Sequence, residues 1–599
     1  MNVTLVSMPW AIMNRPSVQL GALQAYLQLN CPDIQVKSIY PYLDTAKAIG
    51  FEAYQLISKN NWAGEALYSA LLYPENINSA RSLFYSTLKS SAKRLDFEHL
   101  IKLLNNQFTT WLNNNKFDQT DLIGFSVCFS QLIPTLLAIK HIKKLYPTTK
   151  ILLGGSTCTP TIGKSLLKSF NNIDYVITGE GEKPLLELCL HLSNNLEKSA
   201  LKQSSILSRH RTLQNYKNSL DPSHEISNIN TLPPPHYDDY FAKIKKLGLT
   251  FIPTLPIEFS RGCWWNKCAF CNLNLQWNGY RHKSSECMEK EVNYLSNRHR
   301  TLDFTFTDNA LPPIDSKRFF NTIANLNSNY QFFAEIRAGA DPTLYHLYKK
   351  GGLYSVQVGI ESLSTSLLNR MKKGVKAIEN IASMKYAMEA GIQMDGNLIL
   401  EFPGSTEEEV QETLLALDAV LPMHHLDPAS FFLGSGSPVH CHPKDYGIHA
   451  IEHHPNYKKL FPKNILTTLE PLIFSYRGDR TRQRKLWQPV RKKIENWKKF
   501  HLNRKNSSLP ALSYRLGDKF LIIRQELPSS PTLHHRLAGT SREIYLACLR
   551  IVTKKELLDA FKSINTNIIS AFLDDLVQKN LLFQEGDRYL ALAVHEIPR

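Results

Sequence analysis

The chain has 599 residues, 43% hydrophobic and 21% charged, with a formal charge of +17. That length is too great for one core and predicts three or four domains, and the composition is that of folded globular protein rather than of a disordered or fibrous one. There is no run of about 18 apolar residues to span a bilayer, and with ten cysteines, seven of them scattered singly, and no basic-then-apolar leader at the N-terminus, a reducing, cytoplasmic setting is expected.

In chain order, VTLVS (3–7), DLIGFSV (121–127), TKILLGG (149–155) and IDYVITG (173–179) are short apolar runs ending in small residues, separated by segments of helical spacing. Strands alternating with helices predict a parallel, doubly wound α/β sheet over 1–195, in which ligands bind beyond the carboxyl ends of the strands. A polar helical stretch from about 45 to 115 interrupts it and reads as an insertion. From 196 to 250 Ser, Asn and Pro dominate, including Pro233-Pro234-Pro235, as expected of a connecting arm.

A second alternating series spans 251–450: LPIEFS (255–260), DFTFTD (303–308), FFAEIRA (332–338), YSVQVGIE (354–361), MDGNLILEF (394–402) and ASFFLG (429–434). Six strand–helix units predict a partial (β/α)6 barrel, with chemistry at the carboxyl ends of its strands. The helix after Phe402 has a capping-box spacing at Ser405 and Glu408. Residues 451–599 read as a helical and winged-helix-like domain, with helices at 541–550, 554–563 and 567–579 and two strands around Glu585-Gly586-Asp587. The positive charge concentrates in 477–505, which holds twelve Lys or Arg against Asp479 and Glu495. With Trp487 and Trp497 interleaved, this stretch is read as an amphipathic helical surface before a nucleic-acid surface or a dock for an acidic peptide.

The sharpest chemical signal is SRGCWWNKCAFC, three cysteines within nine residues directly after an apolar strand. Three thiolates on one loop can bind three irons of a cubane and leave the fourth iron open. Structural zinc is the alternative, but it asks for four protein ligands, and there is no second Cys/His pair of matching spacing nearby. His440, Cys441 and His442 are adjacent in sequence, which suits a barrel-rim loop better than one metal ion. Trp264 and Trp265 could shield the loop or pack it, and His282 and Lys283 could lend positive charge nearby or lie on a solvated face.

These stretches resemble the radical S-adenosylmethionine (SAM) superfamily, and within it the cobalamin-dependent branch that includes C-methyltransferases of ribosomally made peptide (RiPP) maturation. The resemblance rests on VSMPWAIMNRPSVQLGAL, GFSVCFSQ, LLGGSTC, DYVITGEGE, LPPPHYDDYF, SRGCWWNKCAFCNLN, FTDNALP, GIESLS, MKKGV and LEFPGSTEEEV. The cysteine spacing is C-x4-C-x2-C, one residue longer in its first interval than the usual superfamily pattern. The resemblance implies a [4Fe–4S] cluster on Cys263, Cys268 and Cys271. It implies SAM beside Asp308, Asn309, Glu335, Arg337, Glu361 and Ser362. It also implies cobalamin in an N-terminal Rossmann-like domain, against Ser7, Ser126, Gly154, Gly155, Gly179 and Glu180. There is no D-x-H-x-x-G motif, so the cobalt would lack a lower axial histidine.

The activity implied is methyl transfer to an unactivated carbon of a ribosomally synthesised peptide, or of a peptide-like or small-molecule natural product, with flavodoxin or ferredoxin as reductant. The winged helix is a candidate leader-binding element. One alternative keeps both cofactors but performs rearrangement, cyclisation or oxidation. Another is a winged-helix nucleic-acid-binding sensor. Neither a membrane nor a nucleic acid is the expected partner.

Overall fold

A computed structural model describes residues 1–89, 94–193, 205–209, 222–326, 328–339, 341–504 and 509–596. The N-terminal sheet runs in the order β2-β1-β3-β4-β5-β6, with β1 (Asn2–Val6), β2 (Gln35–Ile39), β3 (Leu122–Ser126), β4 (Lys150–Gly154), β5 (Tyr175–Ile177) and β6 (Ile206–Ser208). β1 to β5 are parallel and β6 is antiparallel. β3 is buried at every position, as a parallel strand covered on both faces requires. Helices between Pro41 and Asn114 separate β2 from β3.

Glu65 of this stretch caps the helix Leu132–Leu145, each carboxylate oxygen accepting a backbone N–H at 3.0 Å, from Leu132 and Ile133. Burial pushes this carboxyl up from 4.5 to about 7, the two hydrogen bonds opposing the rise. A raised folded value means that its contribution is whole below pH 4.5 and is lost as pH rises through 7. In Glu65→Gln the denaturation midpoint is therefore expected to fall less steeply between pH 5 and about 7.5 than in the parent; identical slopes would refute that assignment.

The 196–250 segment is more than an arm. Its described part supplies β6 and a helix, Asp238–Leu247, while 196–204 and 210–221 lie outside the described residues. Tyr237 donates to Pro256 O at 2.6 Å and Tyr240 to Met13 O at 2.7 Å, so two buried phenols fasten this segment to both flanking domains.

β7 (Leu255–Ile257) opens the second sheet, and β8 (Ser260–Arg261) with β9 (Arg281–His282) makes the hairpin that carries the cysteine loop. β10 (Asp303–Phe306), β11 (Gln331–Arg337), β12 (Leu353–Gly359) and β13 (Gln393–Asp395) follow, in the parallel order β13-β12-β11-β10-β7. A parallel bridge from Glu361 to Leu398 leads on to β14 (Asn397–Leu400) and β15 (Asp427–Ser430). This is the strand order that a partial (β/α) barrel requires. The run 394–402 is broken at Gly396, where a Cβ would come within 2.9 Å of Leu426 and 3.2 Å of Val358 O. The run 429–434 likewise divides, into β15 and β16 (Leu433–Gly434). The capping box is one residue later than expected, on Thr406 and Glu409, because the Ser405 hydroxyl is spent on Phe402 O.

β16 pairs with β18 (Ile473–Arg477), which also pairs with β17 (Ala450–His453), both antiparallel. The helix Gln488–Asn503 buries Trp487, Val490, Ile494 and Trp497, and its basic face is partly spent on Glu401, Asp418 and Asp427. This is the amphipathic packing expected of the basic stretch. His440 and Cys441 lie in a helical turn, Pro438–Cys441, where His440 stacks on Phe474 and Cys441 is exposed.

The C-terminal part begins with β19 (Leu512–Leu516), β20 (Phe520–Gln525) and β21 (Leu533–Ala538). Helices Thr540–Ala547, Lys554–Ala560 and Thr566–Gln578 follow, with β22 (Val552–Thr553) and the hairpin β23 (Leu582–Glu585)–β24 (Arg588–Ala591), in winged-helix order; β25 (Val594–His595) returns beside β19. One apolar core joins barrel and C-terminal part, and a second serves the N-terminal sheet and reaches Tyr457, Leu460, Phe461 and Leu469. No described helix is long and apolar enough to cross a membrane.

Candidate active site

The cysteine loop depends on Gly262, whose φ is +81° and where a Cβ would meet Gly279 O at 2.3 Å. Cys263, Cys268 and Cys271 are all half-buried and reduced. Burial pushes Cys271 up to about 11 and raises Cys268, while Lys373 and Arg337 pull Cys268 back toward the thiolate. Arg337 Nη1 is 3.9 Å from Cys268 Sγ. Among the described residues, no three His, Cys, Asp or Glu converge as one ion would need. A cubane makes no such demand, since each thiolate holds a different iron.

Strand alternation on β11 turns Phe333, Glu335 and Arg337 to one face, and Glu335 stands opposite Gln357 of β12. Glu335 is raised to about 7 by burial and by Glu361, with Lys373 opposing. Lys373 Nζ lies 2.9 Å from Glu361 Oε1 and is itself buried. Glu361 sits at φ +60°, an uncommon backbone state for a non-glycine residue at a strand end. Arg337 is stacked against both tryptophans, 5.2 Å from the Trp264 ring and 4.6 Å from the Trp265 ring.

Between the ends of β7 and β10 with the β8–β9 hairpin on one side and the N-terminal sheet on the other lies a cavity of about 290 Å³, which Glu335, Arg337, Glu361 and Lys373 do not line. Its N-terminal wall includes Ser126, Gly154, Gly155, Gly179 and Glu180, with Leu20 and Leu23 of the helix Val18–Asn30. Ser260, Gly262, Trp277, Thr307 and Asn309 form the opposite wall. A Cβ on Gly154 would meet nothing nearer than Ile177 O at 3.9 Å, so this glycine keeps wall volume open.

Residues 257–417 match the model of the radical SAM superfamily. This segment is a radical SAM domain. Such a domain works with a [4Fe–4S] cluster and SAM, and Cys263, Cys268 and Cys271, flanked by Arg337 and Lys373, suit the cluster in number, softness and charge. The chain is 27% identical over 307 residues to an uncharacterized methyltransferase, PH0819, of Pyrococcus horikoshii, covering 50% of this chain and 64% of that protein. It is 22% identical over 288 residues to an anaerobic magnesium-protoporphyrin IX monomethyl ester cyclase of Synechocystis, covering 45% and 52%. The matches thus span between half and two thirds of these relatives. Among solved structures, the radical SAM methyltransferase TsrM of Kitasatospora setae shares the fold, with TM-score 0.55, 15% identity and coverage of 83% and 88%.

Several side chains expected beside SAM (Asp308, Ser362) or cobalamin (Ser7, Glu180) are engaged elsewhere. Asp308 is 3% exposed, and its carboxylate accepts from Phe259 N at 3.1 Å and Ser260 Oγ at 2.5 Å. It braces the strand end behind the cysteine loop, and its neighbour Asn309 lines the cavity instead. Ser362 is buried, its hydroxyl accepting from Ser364 N in the turn ahead of the helix Thr365–Arg370. Ser7 is buried behind the cavity, its hydroxyl accepting from Gln131. Glu180 contributes to the wall, but its carboxylate is spent on arginines.

Those arginines were not foreseen. Arg261 of the radical SAM domain binds Glu180 at 2.9 Å, Glu182 at 2.6 Å and Glu258 at 2.9 Å, and Arg281 binds Glu180 at 2.5 Å and Glu225 at 3.1 Å. Burial would raise Glu182, but the charge and hydrogen bond of Arg261 outweigh it and hold the carboxyl below its ordinary value. The network joins both walls of the cavity. Its one sequence signal was Arg261 standing two residues before the first cysteine. Lys373, in the quoted MKKGV, was also overlooked as a site residue.

Proposed function

We propose that the protein is a cobalamin-dependent radical SAM C-methyltransferase acting on an unactivated carbon of a ribosomally synthesised peptide, or of a peptide-like or small-molecule natural product. The carrying observation is the cavity between glycine-rich N-terminal strand ends and the cysteine-bearing domain. A corrin there would have Ser126, Gly154, Gly155 and Gly179 against it, all on one side and across from the cluster loop, with Glu180 lending wall but no free carboxylate. The likeness to PH0819 and to TsrM, both named as methyltransferases, supports methyl transfer. When bound, cluster and SAM supply a 5′-deoxyadenosyl radical and the corrin supplies a methyl group.

The chain's own residues hold and screen. Arg337 and Lys373 keep positive charge beside the thiolates, and Glu335 and Glu361 offer carboxylates for the polar end of SAM. Asn309 and Thr307 present polar groups to the cavity, and Asp308 acts one layer back. Trp264 and Trp265 cover Arg337 from outside and keep water off that flank.

The likeness to a cyclase supports a second reading, in which both cofactors serve a reaction without methyl transfer. The sensor reading fares worse. The helix Thr566–Gln578 carries Asp574 and Asp575 and no Lys or Arg, and the wing is engaged by the barrel: Glu585 accepts from the Thr365 hydroxyl and from Ile378 N.

The test is anaerobic reconstitution with iron, sulfide and hydroxocobalamin, then SAM and dithionite. About four irons per chain with one corrin, and both 5′-deoxyadenosine and S-adenosylhomocysteine formed, are expected. 5′-Deoxyadenosine without S-adenosylhomocysteine would favour the second reading, and iron without corrin would defeat the N-terminal assignment. In Cys268→Ala, iron is expected to fall to less than about one per chain while corrin is retained. A variant that kept its full iron would remove Cys268 from the ligand set.

A further inference from the structure

The outer side of the cysteine loop carries a feature that cofactor binding does not use. Trp265, Lys267, Asn369, Lys372 and Gly374 line a shallow basin of about 520 Å³, and there is no acid in its wall. Lys267 and Lys372 are exposed, and Trp264 beside them is 41% exposed, an unusual cost for so large a ring. The basin is built rather than incidental. Trp265 is fixed by its indole N–H donating to Lys372 O at 2.9 Å, and Gly374, at φ +73°, leaves room for that ring, since a Cβ there would sit 2.0 Å from it. Lys267 Nζ lies 5.1 Å from the centre of the same ring. On its inner side the ring meets Arg337, which touches Cys268 Sγ. One aromatic layer thus separates a cationic, acid-free surface from a cluster ligand.

We propose that this basin is the docking surface for the cluster's reductant, and that the reductant is a small acidic one-electron carrier protein. The inference rests on the radical SAM reading. Charge complementarity identifies the partner: two lysines without acids steer a negatively charged face and fix its orientation, chiefly through the association rate. The flat indole lets the carrier's redox group approach within one ring of Cys268. The transfer balances as a single electron, with the carrier oxidised by one, the cluster reduced by one and no proton moved.

The test uses the full, reconstituted protein and flavodoxin as the probe. Reduction of the cluster by reduced flavodoxin and by dithionite is followed by anaerobic stopped-flow absorbance. In Lys267→Glu/Lys372→Glu the flavodoxin rate is expected to fall about tenfold or more at low ionic strength, the deficit shrinking as salt screens the charges. Iron content and the dithionite rate should match the parent. If charge reversal costs iron, the neutral pair Lys267→Gln/Lys372→Gln takes its place, with a smaller fall in the same direction. A cluster-loaded variant reduced by flavodoxin at the parental rate overturns the docking surface alone. A parent that binds no iron overturns the radical SAM reading beneath it.

Discussion

Replacing Arg261 by Ala should cost about 3–5 kcal/mol, the range for breaking a buried ion pair from one side. The guanidinium is 4% exposed and meets three carboxylates, two from the N-terminal domain and one from its own. Removing it leaves Glu180, Glu182 and Glu258 close together, with Arg281 acting on the first two and Lys283, already paired with Glu291, acting on Glu258. Arg261→Lys should recover little, because one ammonium cannot serve three carboxylates in the planar fork that guanidinium offers. Glu180→Gln/Glu182→Gln placed in the Ala background should recover a large part, since the damage is uncompensated charge rather than lost volume. In a multidomain chain the loss need not appear as one transition, so urea unfolding is best read by hydrogen exchange at the β8–β9 hairpin and at the loop 179–182. Protection within about 1 kcal/mol of the parent at both places would show that the network holds nothing together.

Gly154→Leu is expected to weaken hydroxocobalamin binding by about 100-fold, close to 2.7 kcal/mol, with iron content unchanged. The backbone there needs no positive φ, and the nearest atom to a built Cβ is a carbonyl oxygen 3.9 Å away. A β-carbon is therefore accommodated there, and the leucine would take up volume at the N-terminal wall of the cavity. Gly155 makes a poor substitute for this test, because its φ of +97° and the 2.8 Å approach to Val127 N would make any side chain a folding defect. Equilibrium titration read in the visible corrin bands decides the matter. Unaltered affinity would place the corrin elsewhere, or nowhere.

Much of the fold was legible because a parallel strand buried on both faces is a largely apolar run, as at 122–126, and the cysteine loop was legible from spacing alone. The side chains that turn elsewhere than expected share one cause. Asp308, Ser362, Ser7 and the carboxylate of Glu180 stand close to strand ends in sequence, yet position along a chain does not say which way a side chain turns once the strand stops. Asp308 turned to the backbone N–H of Phe259, and Glu180 to arginines about 80 and 100 residues away in sequence. Long-range charge pairs of this kind leave no periodic trace. Lys373 escaped for a similar reason, since in MKKGV nothing distinguishes a lysine that ends up buried beside Glu361 from its exposed neighbour Lys372.

The wing has a bearing on how interchangeable these domains are. The stretch from Glu361 to Ile378 is tied at one end to the barrel, where Glu361 N donates to Asn397 O at 3.0 Å, and at the other to Glu585 of the wing, with Lys373 between the two anchors. Anyone exchanging the C-terminal domain for a different one would also be re-setting the seat of Lys373, the buried partner of Glu361. The two are not separable modules, and a graft that ignored the Glu585 contacts would leave the segment that carries Lys373 without its anchor on the wing.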